Sequence, residues 1–223
     1  TPSAGNSPAG SGTTTPVKFD FSSPSRYPTP LCFHARARLA DAASDSTLMT
    51  PQRFQEITGR YPALKIAIVG DFCLDRYLEI DPAKQEISIE TNLPVHNVVR
   101  VRSQPGAAGT ILNNIVALGA GTIFPVGFCG EDGEGFELQR ALREKGSCVS
   151  LAHFQSTPSR RTFTYCKPLL MRPGKAPEEL SRLDSKNWTP TPPDVEAKLA
   201  ASFESLARSA DARSEEHTSE LQS

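Results

Sequence analysis

The sequence has 223 residues, with 24 Lys and Arg against 25 Asp and Glu, so its net charge is -1. So balanced a chain does not favour nucleic acid or an anionic membrane surface as a partner. The five cysteines are far apart and have no histidine at ligand spacing, which predicts reduced thiols and no metal site. No apolar run approaches the roughly 18 to 20 residues of a membrane span, so we expect a soluble, cytoplasmic protein.

The first 48 residues are rich in Pro, Gly, Ser and Thr and show neither helical nor strand periodicity. We predict that residues 1–48 are disordered. The first methionine is Met49, and a natural start there would make the preceding segment a non-native leader. A genuine flexible tail with a docking role is the alternative. The first predicted helix covers residues 52–59.

The next segments alternate between strand and helix patterns. Residues 65–69 form a short apolar run that ends at a Gly-Asp pair, as a buried strand would. Residues 87–89 and 98–101 predict half-exposed strands of a small separate sheet. Ile111, Ile115 and Leu118 are spaced at i, i+4 and i+7, which predicts a packed helix over residues 107–118.

A second strand and helix follow the first pair. Residues 122–128 predict a strand, a glycine-rich turn extends to residue 135, and residues 136–145 predict a helix. The order strand, helix, strand, helix predicts a doubly wound α/β domain. A further strand is predicted over residues 162–166.

Several motifs in this region resemble those of one family. They are GDFCLDRY at residues 70–77, RSQPGAAGT at 102–110, the glycine-rich turn at 126–135, and the segment from Arg161 to Asp184. Together they resemble the PfkB (ribokinase-family) sugar kinases, with the heptose kinases as the most similar branch. The resemblance covers about residues 60–187 in order and without large gaps. Each motif alone is weakly specific, and the set is moderately specific.

The resemblance implies a ribokinase-like doubly wound sheet with a small β lid, truncated at its C-terminal half. It implies ATP-dependent phosphorylation of a sugar or sugar phosphate, with ATP and Mg²⁺ as cofactors of an intact relative and a homodimer formed through the lid. In the family, the general-base aspartate follows a late glycine-rich turn that this sequence lacks after Gly135. We therefore assign no catalytic residue, and we expect the chain as given to be inactive and to bind no cofactor.

The same resemblance suggests which residues hold the sugar. Asp75, placed just after the first strand, would accept hydrogen bonds from two sugar hydroxyls, although an ordinary turn aspartate is the alternative. Gly106, at the start of a helix, would let the main chain approach the ligand closely. Ala107 and Thr110 stand where the family usually has a second glycine and an asparagine, which leaves the identity of the sugar open.

Three further positions have weaker assignments. Asn114 matches a recurrent family asparagine, but a helix asparagine that bonds nearby backbone is equally compatible. Arg161, with Arg160 before it, corresponds to basic residues that meet a substrate phosphate in the heptose kinases, and a solvated charge pair is the alternative. Asp132, between glycines, is predicted to form a turn.

The end of the chain differs from the preceding region in composition. Residues 213–223 look like one translated frame of a sequencing-library adapter, so we predict a non-native, unpacked tail; a genuine acidic tail is the alternative. Residues 49–212 are then the N-terminal part of the kinase domain. Two other functions stay open: a Rossmann-type nicotinamide-dependent oxidoreductase, although G-x-G-x-x-G spacing does not follow Gly70, and a non-catalytic sugar-binding module.

Overall fold

The structure, a computed structural model, describes residues 49–216. The predicted disordered leader at residues 1–48 and the last seven positions of the predicted tail, 217–223, lie outside the described residues. The helices are α1 (Pro51–Thr58), α2 (Ala108–Ala117), α3 (Gly133–Arg143) and α4 (Pro193–Ala207). Among the helices of this part of the chain, none is long and apolar enough to cross a membrane.

The strands form two main sheets and a small ribbon. They are β1 (Lys65–Gly70), β2 (Phe72–Ile80), β3 (Glu86–Ile87), β4 (Pro94–Val95), β5 (Val98–Ala107), β6 (Thr122–Gly130), β7 (Phe154–Thr157), β8 (Thr164–Leu170), β9 (Glu178–Glu179), β10 (Leu183–Ser185) and β11 (Ala212–Glu216). The first sheet is parallel and has the order β11-β1-β6-β7.

Helices cover both faces of the parallel sheet. On one face Ile68 belongs to a buried cluster with Leu112 of α2 and Leu138 of α3. On the other face Ala67 belongs to a cluster with Leu206 of α4. Successive residues of a strand point to opposite faces, so a strand buried on both sides carries a continuous apolar run. The α/β class and the doubly wound arrangement predicted from the sequence are confirmed.

The second sheet has the order β10-β8-β2-β5, and β9 also pairs with β8. Its centre is β2, which is antiparallel to β5 and parallel to β8. The predicted strand at residues 98–101 is the beginning of β5, which continues to Ala107. The predicted strand near Ile87 lies instead in the separate β3–β4 ribbon. The expected smaller sheet is present, and most of it comes from residues that the sequence patterns did not identify as strands.

The position of Asp75 corrects the sequence prediction. β1 ends at Gly70 and β2 begins at Phe72, so Asp75 lies inside a nine-residue strand and not in a turn after the first strand. The Gly-Asp pair does end the first strand, but Asp71 is the only residue between β1 and β2. Charged residues are tolerated inside β2 because neighbouring elements pair with them: Asp75 contacts Lys167, and Arg76 contacts Glu137.

The predicted unpacked tail is wrong for residues 213–216. These residues belong to β11, which pairs in parallel with β1 in a register that places Arg213 opposite Ala67 and Glu215 opposite Val69. Strand pairing uses main-chain groups, so a polar sequence can occupy the edge of a sheet that offers unpaired donors and acceptors. The side chains of Arg213 and Glu215 remain exposed and lie 3.2 Å apart.

The turn from β6 into α3 depends on close packing of the main chain. The carboxylate of Asp132 caps α3 by accepting a hydrogen bond from the N–H of Gly135 at 2.7 Å, as an N-cap aspartate typically does. The helix therefore begins three residues before the predicted start at residue 136. A Cβ at Gly135 would lie 2.1 Å from the carbonyl oxygen of Gly130, whereas a Cβ at Gly133 would have no neighbour within 4 Å.

We predict opposite effects for two alanine substitutions in the first turn of α3. Gly135→Ala should lower the free energy of unfolding by at least about 2 kcal/mol, because the main chain must shift to relieve the clash. Gly133→Ala should leave it unchanged or raise it by up to about 1 kcal/mol, since alanine favours the helix. Urea denaturation of both variants measures the difference, and equal stabilities would contradict the packing described here.

Candidate functional site

The candidate site is built around Asp75 in the middle of β2. In the second sheet, Asp75 has Gln104 of β5 on one side and Tyr165 of β8 on the other. Its side chain is only 15% exposed. A carboxylate at this depth requires hydrogen-bond or ionic partners. The surroundings of Asp75 therefore decide what the site can bind.

Gly106 provides the space in which the Asp75 carboxylate lies. A Cβ at position 106 would be 2.7 Å from Oδ2 of Asp75 and 2.7 Å from the sulfur of Cys73. Both distances are shorter than real Cβ contacts, so a side chain at position 106 would displace the carboxylate or the thiol, whereas glycine leaves both in place. Gly106 lies in β5, two residues before α2 begins, and not at the start of the helix as predicted. The structure thus brings Asp75 and Gly106 together.

Ala107, the next residue, has a strained main chain. Its φ is 53° and its ψ is -119°, a combination that glycine adopts readily and alanine does not. It makes the sharp change of direction from β5 into α2, and the following N–H, that of Ala108, donates to the carbonyl of Asp71 at 3.0 Å. Alanine therefore occupies a position whose geometry favours the glycine that the resemblance leads one to expect.

Thr110 and Asn114 lie one turn apart on α2, and both are exposed. Residues at i and i+4 share one face of a helix. The structure places these two predicted residues on the helix that follows Ala107, within the same segment as Gly106. Asn113, which the sequence analysis passed over, is half-buried and donates from Nδ2 to the carbonyl of Pro105 at 3.5 Å.

Arg161 lies in a different segment, just before β8. Its guanidinium is exposed and 3.8 Å from the carboxylate of Glu134, and its main-chain N–H donates to Asn187. Arg160 instead donates to the hydroxyl of Thr189 at 2.8 Å. Both arginines border an open pocket of about 290 Å³. The residues that line this pocket are Glu131, Asp132, Pro158, Ser159, Arg160, Arg161 and Asn187.

Lys167 of β8 is the main site residue that sequence reasoning missed. Its ammonium donates to Oδ1 of Asp75 at 2.8 Å and lies 5.0 Å from the ring centre of Tyr77 and 5.9 Å from that of Tyr165. Burial lowers the pKa of Lys167, but the hydrogen bond and charge of Asp75 and the contact with Tyr77 together outweigh it, so the pKa lies above the usual value of a lysine. The signal that could have found it is the pairing of β8 with β2, which one sequence does not reveal.

Asp132 has a structural part in this region, as its predicted turn role implies. Besides capping α3, it accepts hydrogen bonds from the main-chain N–H of Thr162 at 2.9 Å and from the Thr162 hydroxyl at 2.6 Å. Burial raises the pKa of Asp132, but the hydrogen bonds from Thr162 and Gly135 together lower it below its usual range. The Asp132 carboxylate thus binds Thr162, two residues before β8 begins.

The acidic residues do not assemble into a metal site in the described part of the chain. Among residues 49–216, no group of three or more His, Cys, Asp or Glu side chains could hold a metal ion. Mg²⁺ prefers near-octahedral oxygen coordination. The described residues therefore do not by themselves fit a magnesium ion.

Comparison with curated proteins finds relatives that are named bifunctional protein HldE. The chain is 34% identical to that of Coxiella burnetii over 125 residues, 56% of this chain and 24% of the relative. It is 29% identical to that of Trichlorobacter lovleyi over 151 residues, 68% of this chain and 29% of the relative. It is 30% identical to that of Syntrophotalea carbinolica over 165 residues, 73% of this chain and 31% of the relative. These matches confirm the resemblance inferred from the motifs.

The chain spans less than a third of the length of these relatives. No protein-family model matches it. Among solved structures, it is similar to a carbohydrate kinase from Agrobacterium tumefaciens, with 19% identity, a TM-score of 0.39, and 55% of this chain and 35% of that one covered. It is also similar to Arabidopsis thaliana ribokinase complexed with ribose and ATP, with 18% identity, a TM-score of 0.39, and coverage of 62% and 43%.

We predict that Ala107→Gly stabilises the protein. Glycine relieves main-chain strain of about 1–3 kcal/mol and loses part of that gain to the greater freedom of the unfolded chain. The free energy of unfolding should rise by about 1 kcal/mol in urea denaturation. Ala117→Gly, at the end of the same helix, is the control and should lower it. A similar loss in both variants would contradict the strain at Ala107.

We predict that Asp132→Asn destabilises the protein in a pH-dependent way. The variant puts an amide where Thr162 presents donors, so at pH 7 the loss should be about 1–2 kcal/mol. Because the folded-state pKa of Asp132 is lowered, the stabilisation is present above the unfolded-state pKa of about 4 and is lost as pH falls through the folded-state pKa.

Urea denaturation from pH 7 to pH 3 measures this dependence. The stability gap between the parent chain and Asp132→Asn should be constant at pH 6–7 and should narrow below about pH 4. Thr162→Ser keeps the hydroxyl and the main-chain N–H that bind Asp132, so in that background Asp132→Asn should cause the same pH-dependent loss. A gap that does not change with pH would show that the ionised carboxylate is not what stabilises this contact.

Proposed function

We propose that this chain is the sugar-binding part of an ATP-dependent carbohydrate kinase that acts on a sugar or a sugar phosphate, with a heptose phosphate as the leading candidate. The observation that carries the proposal is the partly buried Asp75 carboxylate, whose Oδ2 occupies the space that a Cβ at Gly106 would fill. The similarity to the HldE proteins supports it.

The arrangement suits a polyol. An ionised carboxylate only accepts hydrogen bonds, and it can accept several, whereas sugar hydroxyls readily donate. Asp75 is held inside a strand between two neighbouring strands, so its acceptors are fixed in place. A fixed acceptor lowers the entropy cost of orienting a substrate. Thr110 and Asn114 add exposed hydroxyl and amide groups on the helix that follows Gly106.

Phosphoryl transfer itself is proposed for the whole enzyme. ATP would supply the phosphoryl group, and Mg²⁺ would neutralise its charge. The described residues include no group that fits this metal, so no step through it is derived. We assign sugar binding to residues 49–212 and a phosphate contact to Arg161, whose exposed guanidinium borders the open pocket.

The oxidoreductase alternative is not favoured. In a dinucleotide-binding unit, the first strand leads through a glycine-rich turn into a helix whose N-terminus holds the pyrophosphate. Here β1 leads after one residue into β2, a nine-residue strand. The first α-helix after β1 is α2, which begins at Ala108.

We also propose that two copies pair through the second sheet. β5 ends the order of that sheet, so within the described residues its outer edge pairs with no strand. Val98, Val99 and Val101 on this edge are 43%, 47% and 46% exposed. A long edge strand with exposed apolar side chains at its beginning is a template for pairing with another chain. A cytoplasmic location is proposed as well, in keeping with the free thiols of Cys129, Cys148 and Cys166.

Sugar binding by the chain tests the proposed function. Isothermal titration calorimetry with ribose, fructose 6-phosphate and mannoheptose 7-phosphate should detect binding of at least one of them. Asp75→Asn should weaken that binding about tenfold or more, because hydrogen bonds to a charged group contribute about 1.5–3 kcal/mol. Asp184→Asn, on β10 and paired with Arg182, is the control and should bind as the parent chain does. Binding of a nicotinamide cofactor and of no sugar would refute the proposal.

A further inference from the structure

Lys167 and Asp75 form a partly buried ion pair on one face of the second sheet. Their side chains are 19% and 15% exposed, and the ammonium lies 2.8 Å from Oδ1 of Asp75. β8 runs parallel to β2 in a register that places Lys167 opposite Tyr77 and Tyr165 opposite Asp75. The two charged groups thus meet diagonally across neighbouring strands, within reach of both tyrosine rings.

We propose that Lys167 is the positioning residue of the sugar site, which fixes the Asp75 carboxylate in the orientation that accepts sugar hydroxyls. This inference rests on the proposed function, since it concerns how the same site achieves its affinity. It assigns a role to a residue outside the motifs that suggested the site.

The contacts of the two carboxylate oxygens support this role. Oδ1 accepts the hydrogen bond from Lys167, and Oδ2 is next to Gly106. With one oxygen held by a cation and the other packed against main chain, rotation of the carboxylate is restricted. A preorganised acceptor binds more tightly than one that must be ordered when the ligand arrives.

The surroundings of Lys167 keep its ammonium in place. A cation over the face of an aromatic ring is attracted to it, and both Tyr77 and Tyr165 lie within 6 Å. The raised pKa of Lys167 agrees with an ammonium that stays charged at neutral pH. A neutral side chain of similar length would fill the space without holding the carboxylate.

Substitution of Lys167 separates positioning from simple stabilisation. A side chain that only stabilises the fold changes the free energy of unfolding and leaves the affinity of the folded protein unchanged. We therefore measure both quantities, affinity by calorimetry and stability by urea denaturation, for the full chain. The probes are mannoheptose 7-phosphate, fructose 6-phosphate and ribose. The sugar that binds the parent chain most tightly is then used to measure the affinities of the variants.

Lys167→Met should weaken binding of the sugar about tenfold, as expected for loss of a charged hydrogen bond that orders the site. Lys167→Arg, which restores the charge and a donor, should recover most of the affinity. Arg182→Met is the matched control: Arg182 is a cation over the same Tyr165 ring but pairs with Asp184 instead of Asp75, so its loss should leave the affinity unchanged.

The double variant shows whether Lys167 acts through Asp75. In the Asp75→Asn background, Lys167→Met should cause no further loss of affinity, because the group that it positions is already altered. Additive losses, or parent-like affinity in Lys167→Met, would overturn the inference. If Lys167→Met does not fold, Lys167→Gln takes its place, with an expected loss of about threefold or more, and unchanged affinity would again overturn it. If the parent chain binds none of the three sugars, the proposed function fails first and the inference with it.

Discussion

The contact between Asp132 and Thr162 holds the two sheets in a fixed relation. Thr162 gives its main-chain N–H and its hydroxyl to the Asp132 carboxylate, and its hydroxyl oxygen accepts from the N–H of Gly130 at the end of β6. The next residue, Phe163, accepts from the N–H of Leu74 in β2 at 2.8 Å. The start of β8 is thus fastened to the parallel sheet on one side and to β2 on the other. The position of Lys167, and through it that of Asp75, depends on this attachment.

The alternation of strands and helices was largely readable from the sequence, because short apolar runs and 3.6-residue spacing report burial directly. β1, α2, β6 and α3 were found in this way, with shifts of a few residues at their ends. β2 was missed because its charges and the Gly-Asp pair before it are typical of a turn. Those charges are tolerated through partners on β8 and α3 that are distant in sequence. β11 was missed since composition reports side-chain packing and not the main-chain pairing that forms an edge strand.

The candidate site, too, was only partly predictable from the sequence. Asp75 and Gly106 were selected by motif resemblance, and the structure brings them into contact, but the predicted reason for the glycine was incomplete. Gly106 is required beside the carboxylate itself, a relation that depends on the antiparallel register of β2 and β5. Lys167 belongs to no motif, and its contact with Asp75 appears only when β8 is placed next to β2. Local pattern identifies residue types suited to a chemistry, whereas register decides which of them meet.

The face of the second sheet that carries Asp75 has several other ion pairs, so charge alone does not define the site. Glu79 pairs with Arg102, and Asp184 pairs with Arg182; both arginines stack on the tyrosines that also flank Lys167. Asp75 differs from these acids because its second oxygen occupies the space that a Cβ at Gly106 would fill. The strain at Ala107 immediately follows that glycine and turns the chain into α2. The structure therefore places a strained residue directly after the glycine that makes room for the carboxylate, which agrees with the binding site proposed there.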